Sequence, residues 1–164
     1  HLHDFNITDE AIQKGFSEIE WPARLQQIHQ GYLQKKIGNN LTLWLDGGHN
    51  AGAAKAIGHW ALKYKNLPLH LVLGMINTKD PKSFLEPLKE HIKSLYTVTI
   101  EGEASSWTKN ELCDHAQAIG IDAIPAVDVA GAIENIVKRE TGPAMVLITG
   151  SLYLAGKVLA ENDF

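Results

Sequence analysis

The sequence predicts an α/β fold: a Rossmann-like, mostly parallel sheet flanked by helices. Short apolar runs recur at residues 41–45, 69–74, 95–99, 123–126 and 145–149. Stretches of helical period separate them, and strands that alternate with helices call for parallel pairing through right-handed crossovers. The runs are almost wholly apolar, as expected of strands covered by helices on both faces.

Each element has its own signal. Residues 4–18 read as a helix, with Asn6, Thr8 or Asp9 as its cap and Gly15 near its end. Residues 24–33 alternate more weakly and fit an additional edge strand. In the stretch 50–65, Ala53, Ala54, Ile57, Trp60, Ala61 and Tyr64 recur at spacings of three and four, one face of a helix. The helix expected at 80–93 opens with Asp80 as a cap and Pro81 in the first helical position. At 108–118, Thr108 is followed three residues later by Glu111, the spacing of a capping box. The helix at 128–139 starts at an aspartate and ends in two cations, matching the helix dipole. The last, 151–161, carries Leu152, Ala155, Val158 and Leu159 as its apolar positions.

With 164 residues, the chain fits one domain able to bury a full core. Hydrophobic residues make up 45% and charged residues 21%, which excludes a disordered chain. A net charge of −4 with no basic cluster argues against a nucleic-acid partner. The single cysteine, Cys113, excludes an internal disulfide framework and suits a reducing, cytoplasmic compartment. No apolar run approaches the roughly 20 residues of a membrane span.

Ligands of open α/β sheets sit at the carboxyl ends of the strands. That rule selects four loops, at 46–50, 75–80, 100–107 and 150–151. In the first, a buried strand runs into Asp46-Gly47-Gly48-His49-Asn50. Two glycines let the backbone turn sharply and approach a ligand, and His49 and Asn50 fall at a helix start, where anions are favoured. Asp46 could accept hydrogen bonds from ribose hydroxyls, or Asp46 and Asn50 could simply satisfy the turn and cap the helix. The last loop, Thr149-Gly150-Ser151, presents a hydroxyl and helix amides to a carboxylate or phosphate, or caps the helix alone; it is no Gly-x-Ser-x-Gly nucleophile elbow. Upstream, Arg24 follows a Trp-Pro pair and offers a planar fork for phosphate or carboxylate. Lys79 lies beside Asp80, but the Asp-Pro pair already accounts for that loop as a helix start. No phosphate-gripping Gly-x-x-x-x-Gly-Lys-Ser/Thr loop occurs in the chain.

Four segments together resemble the C-terminal domain of folylpolyglutamate synthase, often bifunctional with dihydrofolate synthase, in the Mur ligase superfamily. They are Trp-Pro-Ala-Arg-Leu-Gln at 21–26, Leu-Asp-Gly-Gly-His-Asn-Ala-Gly-Ala-Ala at 45–54, Gly-Met-Ile-Asn-Thr-Lys-Asp at 74–80 and Ile-Thr-Gly-Ser-Leu-Tyr-Leu-Ala-Gly at 148–156. The resemblance implies part of an ATP-dependent ligase. A folate or dihydropteroate carboxylate becomes an acyl phosphate, and the amino group of L-glutamate attacks it. It implies that an N-terminal and central P-loop domain, absent from this chain, holds ATP, Mg2+ and the folate, and that residues 1–20 are a linker helix leading into a C-terminal domain at 21–164. Such a domain on its own is expected to be inactive.

By the same resemblance Arg24 and Asp46 are nucleotide contacts. His49 and Ser151 face the cleft near the incoming glutamate, and Asn50 matches the motif with a less defined role. The family usually has glycine where this chain has Ala23, alanine where it has Gly48 and often proline where it has Ala51. Those departures leave the chemical side chains in place and put the loop conformations in question. Two other functions fit less of the pattern: a ligase for a cell-wall precursor, and a stand-alone module binding a nucleotide or amino acid.

Overall fold

A computed structural model describes residues 8–18 and 21–162. Six strands form one sheet in the order β1-β2-β6-β3-β4-β5. They are β1 (Gln26–Ile28), β2 (Leu41–Leu45), β3 (Leu69–Leu73), β4 (Ser94–Thr97), β5 (Ala123–Pro125) and β6 (Ala144–Thr149). β1 runs antiparallel to β2; the other pairings are parallel. The helices are α1 (Asp9–Glu18), α2 (Tyr32–Ile37), α3 (Ala51–Leu62), α4 (Pro81–Leu85), α5 (Lys109–Gln117), α6 (Val129–Arg139) and α7 (Leu152–Glu161).

Two apolar layers cover the sheet. Leu43, Val72, Tyr96 and Ile148 pack against α2, α6 and α7 on one face. Leu71, Leu73, Leu95 and Leu147 pack against α3, α4 and α5 on the other. Every residue of β3 and β6 is buried, because both strands lie inside the sheet between the two layers.

Most helix starts follow their sequence signals. The side chains of Asn50, Asp80, Asp128 and Ser151 accept hydrogen bonds from backbone N–H groups in the first turns of α3, α4, α6 and α7. Thr108 and Glu111 form the reciprocal capping box of α5. At α1 the Thr8 hydroxyl accepts from Ala11 N at 3.2 Å, and the helix runs through Gly15 to Glu18 instead of ending there. Residues 4–7, including Asn6, lie outside the described residues.

Three expectations are corrected. The single helix at 80–93 is short α4 followed by a 3₁₀ segment, Glu86–His91. Pro87 sits at the change: it has no N–H for an α-helical bond, and its ring would crowd the carbonyl four residues back. Helix α3 ends at Leu62, not at residue 65. The weak edge strand expected at 24–33 contracts to Gln26–Ile28, and Leu33 belongs to α2. Helix α2 has no capping side chain of its own. Asn162, beyond α7, is fully buried; its Oδ1 accepts from Leu33 N at 2.8 Å and its amide donates to Gln30 O at 2.8 Å. A cap supplied from 129 residues away leaves no local pattern to read.

At the opposite edge from the carboxyl loops, buried His70 joins Ser94 (2.8 Å from Nδ1) and Glu140 (3.0 Å from Nε2), and Lys93 reaches the same carboxylate at 2.5 Å. A neutral ring that accepts from the Ser94 hydroxyl and donates to Glu140 satisfies all three groups. Hydrogen bonds from Lys93 and from Gly142 N pull the Glu140 carboxyl down to about 2. Burial outweighs the Glu140 contact and pushes His70 below its ordinary value. Both folded values lie below the unfolded ones, so both groups contribute stability at high pH that is lost on acidification. The urea midpoint is expected to fall as pH drops below about 6.5, where the unfolded imidazole protonates. It should fall again between about 4.5 and about 2. In Glu140→Gln the lower limb should flatten; an unchanged acid limb would remove Glu140 from this role.

Candidate functional site

Strand β6 lies between β2 and β3. The chain leaves β2 into α3 on one face of the sheet and leaves β6 into α7 on the other. Adjacent strands whose connections diverge leave a crevice at their carboxyl ends. The loops after β2, β6 and β3 meet there. Asp46 N donates to Ile148 O (2.9 Å), Gly74 N to Thr149 O (3.1 Å), and the Thr149 hydroxyl to Gly48 O (3.5 Å).

The turn after β6 has little freedom. Gly150 has a φ of 108°, and a Cβ there would lie 2.6 Å from Gly74 O and 2.7 Å from Leu73 Cδ1. Glycine alone fits both the backbone angle and the space. The turn delivers buried Ser151 to the head of α7, where its Oγ accepts from Tyr153 N at 3.1 Å. The hydroxyl hydrogen has no acceptor among the described residues and can be donated outward.

On the β2 side, Asp46 is buried and both its oxygens are engaged. Oδ2 accepts from Leu25 N at 2.9 Å and Oδ1 from Gly48 N at 2.7 Å. Each oxygen keeps a second lone pair. The entry segment is thereby clamped: Gly47 N donates to Ala23 O (2.8 Å) and Ala23 N to Gln26 Oε1 (3.0 Å). Ala23 and Leu25 both adopt left-handed backbone, with φ of 56° and 44°. For L-residues this costs roughly 1–2 kcal/mol each, and Ala23 is the position where the resembled family uses glycine. At Gly48 the departure runs the other way. A Cβ there would meet the Ala53 methyl and Asp46 Oδ1 at 2.7 Å each.

Arg24 is exposed, with Nη1 donating to Ala23 O at 3.1 Å. Its Nη1 would sit 3.0 Å from a Cβ on Gly47, and Leu152 Cδ2 of α7 only 2.3 Å from it. The glycine therefore lets Arg24, the β2 loop and the start of α7 close on one another.

His49, Lys79, Ser151 and Tyr153 line a cleft of about 90 Å3 between the three loops. A larger groove, about 280 Å3, runs between α2, α7 and the end of β4, and none of the expected site residues lines it. The structure thus groups His49 with Ser151, and Arg24 with the Asp46-Gly47 turn. Asn50 stands apart: exposed, with Oδ1 accepting from Ala53 N at 2.9 Å as the cap of α3. Cys113 is buried against the Thr97 hydroxyl at 3.0 Å. Lys79 is the residue whose place the sequence did not disclose. The Asp-Pro signal beside it is real, since Asp80 does cap α4. It masked the preceding lysine, whose ammonium pairs with no carboxylate among the described residues.

Among the described residues no three His, Cys, Asp or Glu side chains gather as a metal group. No helix there is long and apolar enough to cross a membrane.

Comparison with known proteins adds to this geometry. The family model "Dihydrofolate synthetase, C-terminal domain" matches residues 27–161. The dihydrofolate synthetase of Saccharomyces cerevisiae is 24% identical over 170 residues, covering 96% of this chain and 39% of the yeast protein. A probable bifunctional folylpolyglutamate synthase/dihydropteroate synthase of Haloferax volcanii is 28% identical over 93% of this chain and 17% of its own length. The fold matches Mycobacterium tuberculosis folylpolyglutamate synthase complexed with ADP at a TM-score of 0.81, with 19% identity over 99% of this chain and 37% of that one. A bifunctional folylpolyglutamate synthase/dihydrofolate synthase with Mn, AMPPNP and L-glutamate bound matches at 0.76, with 25% identity over 97% of this chain and 36% of that one. The chain spans less than two fifths of the curated relatives it matches. On the extent of the family match, the chain belongs to the dihydrofolate synthetase C-terminal domain family.

Proposed function

We propose that this chain is the C-terminal part of an ATP-dependent ligase that adds L-glutamate to dihydropteroate or to folates through an acyl phosphate. Residues 1–20, which include α1, are its linker segment, and 21–164 the domain that completes the site. The observation that carries this reading is the convergence of three loops from distant parts of the chain at one carboxyl edge. The guanidinium of Arg24 lies against the Gly47 turn, and His49, Lys79 and Ser151 line one cleft. Relatives complexed with AMPPNP, Mn and L-glutamate support the same ligand classes.

The residues present fit a nucleotide. Exposed Arg24 stands against the Gly47 turn, and its guanidinium neutralises phosphate charge. Asp46, still holding free lone pairs, accepts from ribose hydroxyls. ATP, when bound, supplies the phosphoryl group that activates the folate carboxylate. The Ser151 hydroxyl and the first amides of α7 hold a carboxylate of the incoming glutamate, since a helix N-terminus favours an anion. The His49 ring hydrogen-bonds substrate beside it. Asn50 shapes this loop by capping α3. Mg2+ and the triphosphate would be held mainly by a P-loop domain of the full-length protein.

The test is substrate dependence in the full-length enzyme. ADP formation should require L-glutamate together with dihydropteroate or a reduced folate, and a cell-wall precursor should not replace the folate. Turnover with the cell-wall precursor instead would move the chain to that branch of ligases.

A further inference from the structure

The loop at 100–107, one of the four at the carboxyl edge, contributes no side chain to the cleft. It is nevertheless built onto the loop that does. Trp107 N donates to Met75 O at 2.9 Å, Asn77 N to Ser105 O at 2.6 Å, and Ile76 and Ser106 form an antiparallel bridge. The Trp107 indole then donates from Nε1 to the carbonyl of Lys79 at 3.2 Å. Three hydrogen bonds thus tie residues 75–79 to residues 105–107.

The brace is itself rigid. The Ser106 hydroxyl accepts from Ile100 N (2.9 Å) and donates to Trp107 O (2.7 Å). Ser105 donates from both N and Oγ to Glu103, at 3.0 and 2.6 Å. The indole is fixed from its other side by the His115 ring, edge to face at 4.8 Å. A long, flexible lysine on an unbraced strand-end loop would lose much rotamer and backbone freedom on meeting an anion. Ordering the loop in advance removes part of that cost.

We propose that Trp107 is a positioning residue: through the Lys79 carbonyl it fixes the backbone of Lys79 at the cleft that Lys79 lines with His49 and Ser151, so that the ammonium meets a carboxylate of the incoming amino acid from there. This rests on the ligase reading above. The indole N–H, which phenylalanine lacks, carries the effect; the ring's packing on His115 is a separate matter.

The experiment compares Trp107→Phe, Lys79→Met and the double variant in the full-length enzyme, with thermal midpoints recorded for each. Trp107→Phe keeps an aromatic ring and loses one donor worth about 1 kcal/mol, so KM for L-glutamate should rise about fivefold. kcat and KM for ATP should stay within about twofold. Lys79→Met should raise the same KM further. Added to Lys79→Met, Trp107→Phe should change little, because the group it positions is gone. Three results would overturn the proposal: an unchanged KM for L-glutamate in Trp107→Phe; the same fivefold penalty on the Lys79→Met background; or parallel losses in kcat and ATP affinity, the mark of general loosening. A wild-type enzyme with no glutamate-dependent turnover would instead bring down the ligase reading, and this inference with it.

Discussion

Gly150→Ala is expected to destabilise the domain by roughly 2–6 kcal/mol. Two independent costs combine. A non-glycine residue held at a φ of 108° stores of order 1–3 kcal/mol of backbone strain. The added methyl also meets three atoms inside 3.0 Å: Gly74 O, Leu73 Cδ1 and Met75 Cγ. Overpacking of this kind costs typically 1–3 kcal/mol. Leu73 and Met75 are fully buried, and the Gly74 carbonyl belongs to the neighbouring strand end, so relief requires the β3 and β6 ends to separate. Those two ends carry Lys79 and Ser151 into the cleft. In the full-length enzyme proposed above, the variant should therefore lose activity even where it still folds. Urea unfolding of Gly150→Ala beside the unmutated protein gives the number. A loss under about 1 kcal/mol would mean that the turn relaxes easily and that the junction is not the fixed frame described.

Much of this fold was legible in the sequence because its signals are local. The five apolar runs became β2 to β6 with ends shifted by one or two residues. Asp80, Thr108, Asp128 and Ser151 cap the helices they precede. The failures have physical reasons of their own. Helix α2 is six residues long and its Leu33 N–H is met by Asn162, so neither periodicity nor a neighbouring cap announces it. Pro87 divides one apparent helix into an α-helical and a 3₁₀ piece with no break in the apolar pattern.

At the site, sequence alone named the loops but not how they divide. The open alternatives for Asp46 and Asn50 separate in the structure. Asn50 is occupied as a helix cap. Asp46 satisfies its turn and the entry segment while keeping unused lone pairs. Lys79 was hidden by the stronger Asp-Pro signal, and Trp107 by acting only through a carbonyl of another loop. Interactions of that second kind depend on tertiary packing and leave no spacing to find. The two departures at Ala23 and Gly48 also gain meaning in three dimensions: the first carries strain, and the second makes room for Ala53.

In the proposed function, the entry turn and the β2 loop present a phosphate-reading surface to a nucleotide held mainly by another domain. Arg24 isolates that claim. Its side chain is exposed and makes one hydrogen bond within the chain, to the adjacent Ala23 carbonyl. Truncating it should leave stability within about 0.5 kcal/mol. Losing a charge-assisted contact worth roughly 1.5–3 kcal/mol should raise KM for ATP by about 10- to 100-fold in the full-length enzyme. Arg24→Lys should recover only part of this, because an ammonium cannot reproduce the planar fork. The deciding measurement is the steady-state KM for ATP of full-length Arg24→Ala against the unmutated enzyme, at saturating folate and glutamate. A rise of tenfold or more with an unchanged melting temperature is the predicted result; an unchanged ATP dependence would contradict the account.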